Sequence, residues 1–198
     1  MRKGHSTAVE INWVRMAVAS VDCPARRPFY THRASQHGYG RRAWWDVRPV
    51  HDGHRRLFER AFELGDVTVG LTSDDLAPKT RHVERHVRSY DTRKAALADE
   101  LEALAASQNR EFEIRPLEEP TGIATEPQFD YLVVSPETRD GGERINEIRR
   151  ERGHDPLEVI VVPHVEADDG DIISSTRIVN DEIDEHGNVL ESNTDSRD

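Results

Sequence analysis

The chain has 198 residues, of which 35% are apolar and 33% charged, with mean hydropathy −0.76 and formal net charge −11. That length fits one domain with little room for a second. No run of about 18 apolar residues occurs, which excludes a transmembrane helix. A lone cysteine, Cys23, excludes an intrachain disulfide or a Cys-rich zinc site. The acidic balance argues against generic nucleic-acid binding, which needs a basic footprint, with a basic arm before residue 50 as the alternative.

The average hides a break near Val50. Residues 1–50 carry nine Lys/Arg and three Asp/Glu, whereas residues 51–198 carry 18 and 35, a balance of −17. Trp13, Trp44, Trp45 and Cys23 all precede the break. Residues 11–21 are apolar but interrupted by Asn12 and Arg15, and no small-residue cleavage site comes cleanly after them, which argues against a secretory signal. Residues 24–42 are rich in Arg, His, Gly and Pro without periodicity, a composition that predicts disorder. Residues 1–48 therefore read as an atypical basic extension, residues 49–185 as the folded domain, and residues 186–198 as a flexible polar tail.

The acidic part is strongly patterned. Residues 54–64 place Leu57, Phe58, Ala61, Phe62 and Leu64 on one helical face, and Gly65 stops the helix. A short β-rich run covers 66–72. A long helix is expected over 91–107, with Ala95, Leu97, Ala98, Leu101, Leu104 and Ala105 apolar, and an alternating strand over 111–117. Residues 131–135 and 157–165 read as buried strands, with a helix over 142–152 between them and a final helix over 174–184. Strand and helix alternate, so the expected class is α/β, a Rossmann-like doubly wound and mostly parallel sheet with helices on both faces. Such a sheet opens with a strand and a tight glycine turn before its first helix. Here residues 41–50 (RRAWWDVRPV) supply neither, so the first strand is expected to be corrupted.

Two motifs carry chemistry. His51-Asp52-Gly53-His54 lies at the mouth of the first helix, with the two imidazoles on one face. Gly53 lets a ligand approach the backbone, and exposed N–H groups with the helix dipole favour an anion. Taken alone, the motif also fits an ordinary helix start with two solvated histidines, and without a further local ligand it makes a poor zinc site. Ile173-Ser174-Ser175-Thr176-Arg177-Ile178 puts hydroxyls at a second helix start. Taken alone this is an N-cap. Read with the first motif, it is a second set of donors aimed at the same anion across the C-terminal ends of the strands.

Together, His-x-Gly-His and Ile-Ser-Ser-Thr-x-Ile on a small α/β chain resemble the nucleotidyltransferase superfamily. The fuller resemblance, through residues 49–77, 129–138, 141–153, 157–165 and 169–184, is to the archaeal-type phosphopantetheine adenylyltransferases. That resemblance implies transfer of the adenylyl group of ATP to 4′-phosphopantetheine, giving dephospho-CoA and pyrophosphate, with Mg2+ accompanying ATP. It implies a cytoplasmic enzyme of coenzyme A biosynthesis, expected to be a monomer. His51 and His54 would act on the phosphates. Gly53, Ser174, Ser175, Thr176 and Arg177 would bind ATP, joined by Ser135, Glu137 and Thr138 after a strand end. Relatives in the superfamily often carry a basic residue after the final isoleucine, whereas Val179 comes after Ile178 here. Rival readings are the same chemistry on nicotinamide mononucleotide or a flavin, and a non-catalytic nucleotide-binding relic.

The resemblance breaks just before Pro49. The family's first motif runs Gly-Gly-Thr-Phe-Asp-Pro-x-His-x-Gly-His, and here Trp44-Trp45-Asp46-Val47-Arg48 precedes Pro49. The codons of residues 44–49, TGG TGG GAY GTN CGN CCN, read from their second base, give Gly-Gly whatever the degenerate bases. The next three triplets can encode Thr-Phe-Asp. The same shift turns Tyr39 into AYG, which includes a start codon. Residues 1–48 are thus expected to be translated out of frame relative to the domain beginning at Pro49, through a single-base change near that residue. The alternative is a genuine extension in a divergent member.

Residues 79–94 hold six Lys/Arg against two acids in an otherwise acidic body, where an anionic substrate would be steered. Lys79 and Arg93 are the candidate acceptor-binding residues there; a solvated loop with ion pairs is the plainer alternative. Abundant Asp/Glu and few lysines resemble proteins of halophilic archaea. At about 1 M salt the Debye length is about 3 Å, so like charges repel weakly. The melting temperature is therefore expected to rise between dilute buffer and molar KCl; an unchanged value contradicts the halophilic reading.

Overall fold

The computed structural model describes residues 14–19, 50–77 and 88–190; the first of these is described by its backbone alone. The disorder expected over 24–42 and the candidate Lys79 lie outside the described residues. Five strands form one sheet in the order β3-β2-β1-β4-β5: β1 Val14–Ala19, β2 Val67–Thr72, β3 Phe112–Leu117, β4 Phe129–Val134 and β5 Glu158–Val161. β2 pairs with β3, and β4 with β5, in parallel. β1 is antiparallel to both of its neighbours, β2 and β4. Four strands therefore run the same way and the central one runs against them. The α/β, mostly parallel class holds; the antiparallel central strand comes from residues 14–19, inside the segment read as an atypical extension, and not from the stretch just before α1 where the first strand is expected.

Helices α1 (Asp52–Leu64), α2 (Tyr90–Gln108) and α3 (Arg139–Glu151) cover the sheet. Leu57, Phe58, Ala61 and Phe62 of α1 join Leu97 and Leu101 of α2 on one face, over Val67, Val69, Ile114 and Val133. Ile145 of α3 packs on the other face with Leu132, Val134, Leu117 and Phe129. Consecutive residues Leu132, Val133 and Val134 alternate between the two cores, as the period of a strand buried on both faces requires. Gly65 caps α1 by donating its N–H to the Ala61 carbonyl, and Ser89 caps α2 by accepting the N–H of Thr92.

Arg149 on α3 is 1% exposed and lies among carbonyls. Its guanidinium donates to the carbonyls of Asp155 (2.7 Å), Ala124 (3.1 Å), Phe129 (3.0 Å) and Glu126. Burial pushes it below its ordinary value. The neighbouring Arg152 donates to the Thr125 hydroxyl at 2.6 Å. These bonds staple α3 to the irregular segment that leads into β4.

Three boundaries differ from expectation. β5 is four residues rather than the nine of 157–165, because the chain turns away after Val162, whose N–H still reaches the Val134 carbonyl, and Pro163 lacks the next donor. α3 starts at Arg139, directly after a 3-10 turn over Pro136–Thr138. The final helix expected over 174–184 is only α4, Ser175–Val179. Asp181 takes a left-handed φ of 57°, which ends the helical path. Ile183 and Val189 then form an antiparallel bridge, so residues 186–190, expected to fray, are hydrogen-bonded into the domain.

Candidate active site

Only a two-residue turn separates α1 from β2, so the helix runs back along the strand. Its N-terminus lies at the end where β2 and its parallel partners finish. The order β3-β2-β1-β4-β5 reverses direction at β1, which makes this edge the switch point where open α/β sheets bind ligands. Both motifs are brought there.

His51 is the N-cap of α1, in extended conformation, and its carbonyl accepts the N–H groups of His54 (2.8 Å) and Arg55 (3.0 Å). Both imidazoles are 7% exposed, with ring centroids 4.0 Å apart and planes tilted by 33°. His51 folds over Gly53: a methyl group at Gly53 would stand 3.0 Å from its Cε1 and Nδ1. The same methyl would lie 3.8 Å from the carbonyl oxygen of Ile173, the residue before the hydroxyl trio. Gly53 is thus the point where the two motifs touch, and a side chain would fill the space between them.

Ser174 is the N-cap of α4, its hydroxyl accepting the Arg177 N–H at 3.3 Å. Its own O–H is still available to donate. Ser175 is buried and Thr176 half-buried beside it. Arg177 is turned to acids of its own lobe: it pairs with Asp169 and, at 3.2 Å, with Glu182, and it donates to the Ile172 carbonyl at 3.3 Å. Hydrogen bonding to Arg177 holds the Asp169 carboxyl below the usual carboxylate range.

Ser135, Glu137 and Thr138 lie just past the end of β4. The buried Ser135 hydroxyl lies 3.2 Å from that of Thr138. Glu137 lies 3.6 Å from Nε2 of His164, an ion pair when the imidazole is protonated. Arg93, 12% exposed, donates to the Thr72 carbonyl (2.7 Å) and Asp74 (2.8 Å) at the end of β2, and to the Arg88 carbonyl (3.0 Å). Its guanidinium fastens α2 to the strand end. Hydrogen bonds from the Tyr90 backbone and from Arg93 lower the Asp74 carboxyl.

Sequence reasoning misses His164, although its place just past a parallel strand end is the signal for a ligand contact. It also misses residues 184–188, which reach the first motif: Asp52 donates its N–H to the Glu185 carbonyl at 3.0 Å. The available signal is Gly187 after a cluster of acids, a turn composition.

Among the described residues, no group of three or more His, Cys, Asp or Glu is arranged to hold a metal ion, and no helix is long and apolar enough to cross a membrane. The donors gathered at the site are imidazoles, hydroxyls and backbone N–H groups. That set suits phosphate oxygens better than a hard cation, which prefers carboxylate and carbonyl oxygens.

Residues 48–181 match the model of the cytidylyltransferase-like family. The phosphopantetheine adenylyltransferase of Methanosarcina acetivorans is 42% identical over 143 residues, covering 71% of this chain and 88% of that protein. That of Archaeoglobus fulgidus is 36% identical over 151 residues, covering 72% and 93%. A solved protein of unknown function from Archaeoglobus fulgidus is 33% identical with a TM-score of 0.49, covering 58% of this chain and 82% of its own. With the His-x-Gly-His and Ile-Ser-Ser-Thr motifs meeting at the switch point, the chain belongs to the cytidylyltransferase-like family and, within it, to the phosphopantetheine adenylyltransferases.

Proposed function

We propose that the chain transfers the adenylyl group of ATP to 4′-phosphopantetheine. A phosphate oxygen of the acceptor attacks the α-phosphorus, the bond from that phosphorus to the β-phosphate oxygen breaks, and pyrophosphate leaves with dephospho-CoA as product. The observation that carries this reading is the approach of the two motifs at Gly53, where an added methyl group would lie 3.8 Å from the Ile173 carbonyl oxygen, close enough for one triphosphate to span both. The acceptor phosphate is already anionic at neutral pH, so no general base is required. Catalysis is then alignment together with charge stabilisation at the α-phosphorus.

In this reading His51 contacts the phosphates and His54 stabilises charge on the α-phosphate as pyrophosphate departs. Ser174, Ser175 and Thr176 donate to the β- and γ-phosphates. Ser135, Glu137 and Thr138, past the end of β4, take the nucleotide. Lys79 and Arg93 border the acceptor. Arg177 holds the α4 lobe through Asp169 and Glu182 and contributes to ATP binding from there. Mg2+ would accompany ATP and would supply charge neutralisation on the triphosphate. The enzyme works in the cytoplasm, as a monomer, in a high-salt cell.

A second reading is supported by the central strand. β1 runs antiparallel where its four neighbours are parallel to one another, and it lies more than thirty residues before α1 instead of leading into it through a glycine turn. That is what a sheet does when its own first strand is missing and another segment occupies the slot. It supports out-of-frame translation of residues 1–48, and with it a chain that binds ATP without turning it over. Pyrophosphate release with ATP and 4′-phosphopantetheine separates the two. The chain with Gly-Gly-Thr-Phe-Asp restored before Pro49 is expected to release pyrophosphate. On the first reading the chain as it stands also releases it, though more slowly; on the second it binds ATP and releases none. If the restored chain is inactive, the adenylyltransferase reading fails. If the bases read from the second position of the Trp44 codon do not encode Gly-Gly-Thr-Phe-Asp, the frameshift fails.

A further inference from the structure

We propose that residues 182–190 are a positioning clasp that holds the two phosphate-binding motifs in register; the proposal rests on the adenylyltransferase reading above. The segment is a self-locked hairpin. Its Asp184 carboxylate accepts the N–H groups of His186 and Asn188, each at 2.9 Å, and the Asn188 amide at 2.6 Å. Burial pushes that carboxyl up, but these donors outweigh it and the net direction is down. Asp184 also donates its N–H to the Asn188 carbonyl at 3.0 Å, and Leu190 donates to Glu182 at 2.9 Å. Gly187 closes the turn with a φ of +88°.

The hairpin grips both motifs at once. Toward the first, the Glu185 carbonyl accepts the Asp52 N–H at 3.0 Å, and Nδ1 of His186 lies 3.2 Å from both carboxylate oxygens of Asp52. Asp52 is the residue between His51 and Gly53, and it passes the hold on to α2 through Arg55 (2.8 Å) and Glu100 (3.1 Å). Toward the second, the Gly187 carbonyl accepts the Asp168 N–H at 3.0 Å. A methyl at Gly187 would stand 2.7 Å from Cδ1 of Ile173 and 2.9 Å from the Ala167 Cα. Ile183, fully buried, packs with Ile173 and Ala167 in the same small core. Ile173 leads directly into Ser174, so the hairpin touches the residue before the hydroxyl trio and the residue between the histidines. None of its side chains needs to meet substrate. It fixes the gap that the triphosphate must bridge, and small errors in that gap are costly in rate.

Two variants of the full chain test this. Gly187→Ala forces a left-handed turn and a methyl against Ile173. Asp184→Ala opens the hairpin from its polar side and leaves Gly187 and Ile183 in place, so it serves where Gly187→Ala fails to fold. The positioning role predicts that kcat/KM for ATP falls at least about tenfold well below the melting temperature, while KM for 4′-phosphopantetheine changes less than about threefold. A merely structural role lowers the melting temperature and leaves both constants alone, which overturns the proposal, as does a KM for 4′-phosphopantetheine that rises more than about threefold. Amide exchange gives a readout without activity: protection of the Asp52 N–H is expected to fall at least about tenfold in Asp184→Ala. Unchanged protection overturns the clasp even if the enzyme is active. A parent chain that exchanges as expected but never releases pyrophosphate, even with its frame restored, removes the adenylyltransferase reading and leaves the clasp contacts standing.

Discussion

His54→Ala is expected to lower the turnover of pyrophosphate release by more than ~10²-fold and to leave the protein folded. The size follows from what one preorganised donor contributes when charge develops in a site shielded from water. The imidazole is 7% exposed, with its ring centroid 4.0 Å from that of His51 at the first turn of α1. Its position is fixed before substrate arrives, so little reorganisation accompanies the reaction. The apolar face of α1, formed by Leu57, Phe58, Ala61 and Phe62, does not depend on it, so truncation is expected to cost only about 1–2 kcal/mol of stability. Steady-state turnover together with a thermal melt checks both halves of the expectation. Near-normal turnover in a folded variant means that His54 does not carry the assigned role.

The largest effect on stability is expected away from the site, at Arg149. Its guanidinium answers the carbonyls of Ala124, Glu126, Phe129 and Asp155 from within the protein. Removing it takes this donor from the buried carbonyls of Ala124 and Phe129 and from the half-buried ones of Glu126 and Asp155, and each buried loss is worth about 1–3 kcal/mol before relaxation. The losses do not add fully, so Arg149→Ala is expected to destabilise by about 3–5 kcal/mol, which most small domains barely survive. Arg149→Lys keeps the charge but cannot span the same set of carbonyls, so it recovers only part of the loss. Chemical denaturation of the three proteins decides; a loss below about 1 kcal/mol for Arg149→Ala means that water or neighbouring donors replace the guanidinium.

Most of the frame that carries the site is legible in the sequence because its signals are local. The 3.6-residue spacing of Leu57, Phe58, Ala61 and Phe62 specifies α1, and the apolar runs at 131–135 and 157–165 specify β4 and β5, although the second runs past the end of its strand. The motifs are legible for a different reason. His51, Gly53, His54 and Ser174 to Thr176 are residue types that a phosphate requires near helix starts, and their order along the chain matches a known pattern. What escapes is set by contacts between distant segments. Nothing local in residues 182–190 says that Glu185 will accept the Asp52 N–H, or that Gly187 will lie on Ile173; both depend on how the last lobe folds back on α1. The place of Arg177 in its motif marks it as an ATP ligand, yet its guanidinium pairs with Asp169 and Glu182, acids whose proximity spacing alone does not reveal. The basic run marks Arg93 as a substrate contact, and the structure engages it with Thr72, Asp74 and Arg88. An arginine at a strand end can hold the scaffold as well as a ligand, and composition does not separate the two.

The break at Pro49 connects the sequence and the sheet. A glycine turn between a first strand and α1 would set the backbone against the triphosphate, and a parallel strand would fill the slot between β2 and β4. In the chain as it stands, Val14–Ala19 occupies that slot in the opposite direction. The strands on either side, α1 and the α4 lobe nevertheless bring the histidines and the hydroxyls to one edge. If this edge takes the nucleotide as proposed, ATP affinity is expected to be less affected than turnover by the loss of the opening turn.

The central claim is that one triphosphate spans the mouth of α1 and the hydroxyl trio of α4. A crystal structure of the frame-restored chain with a non-hydrolysable ATP analogue tests it most directly. The account predicts the α-phosphate within hydrogen-bond distance of His54 and the β- and γ-phosphates on Ser174, Ser175 and Thr176, with Gly53 beneath them. A triphosphate bound to only one of the two motifs, or lying elsewhere on the sheet, contradicts it.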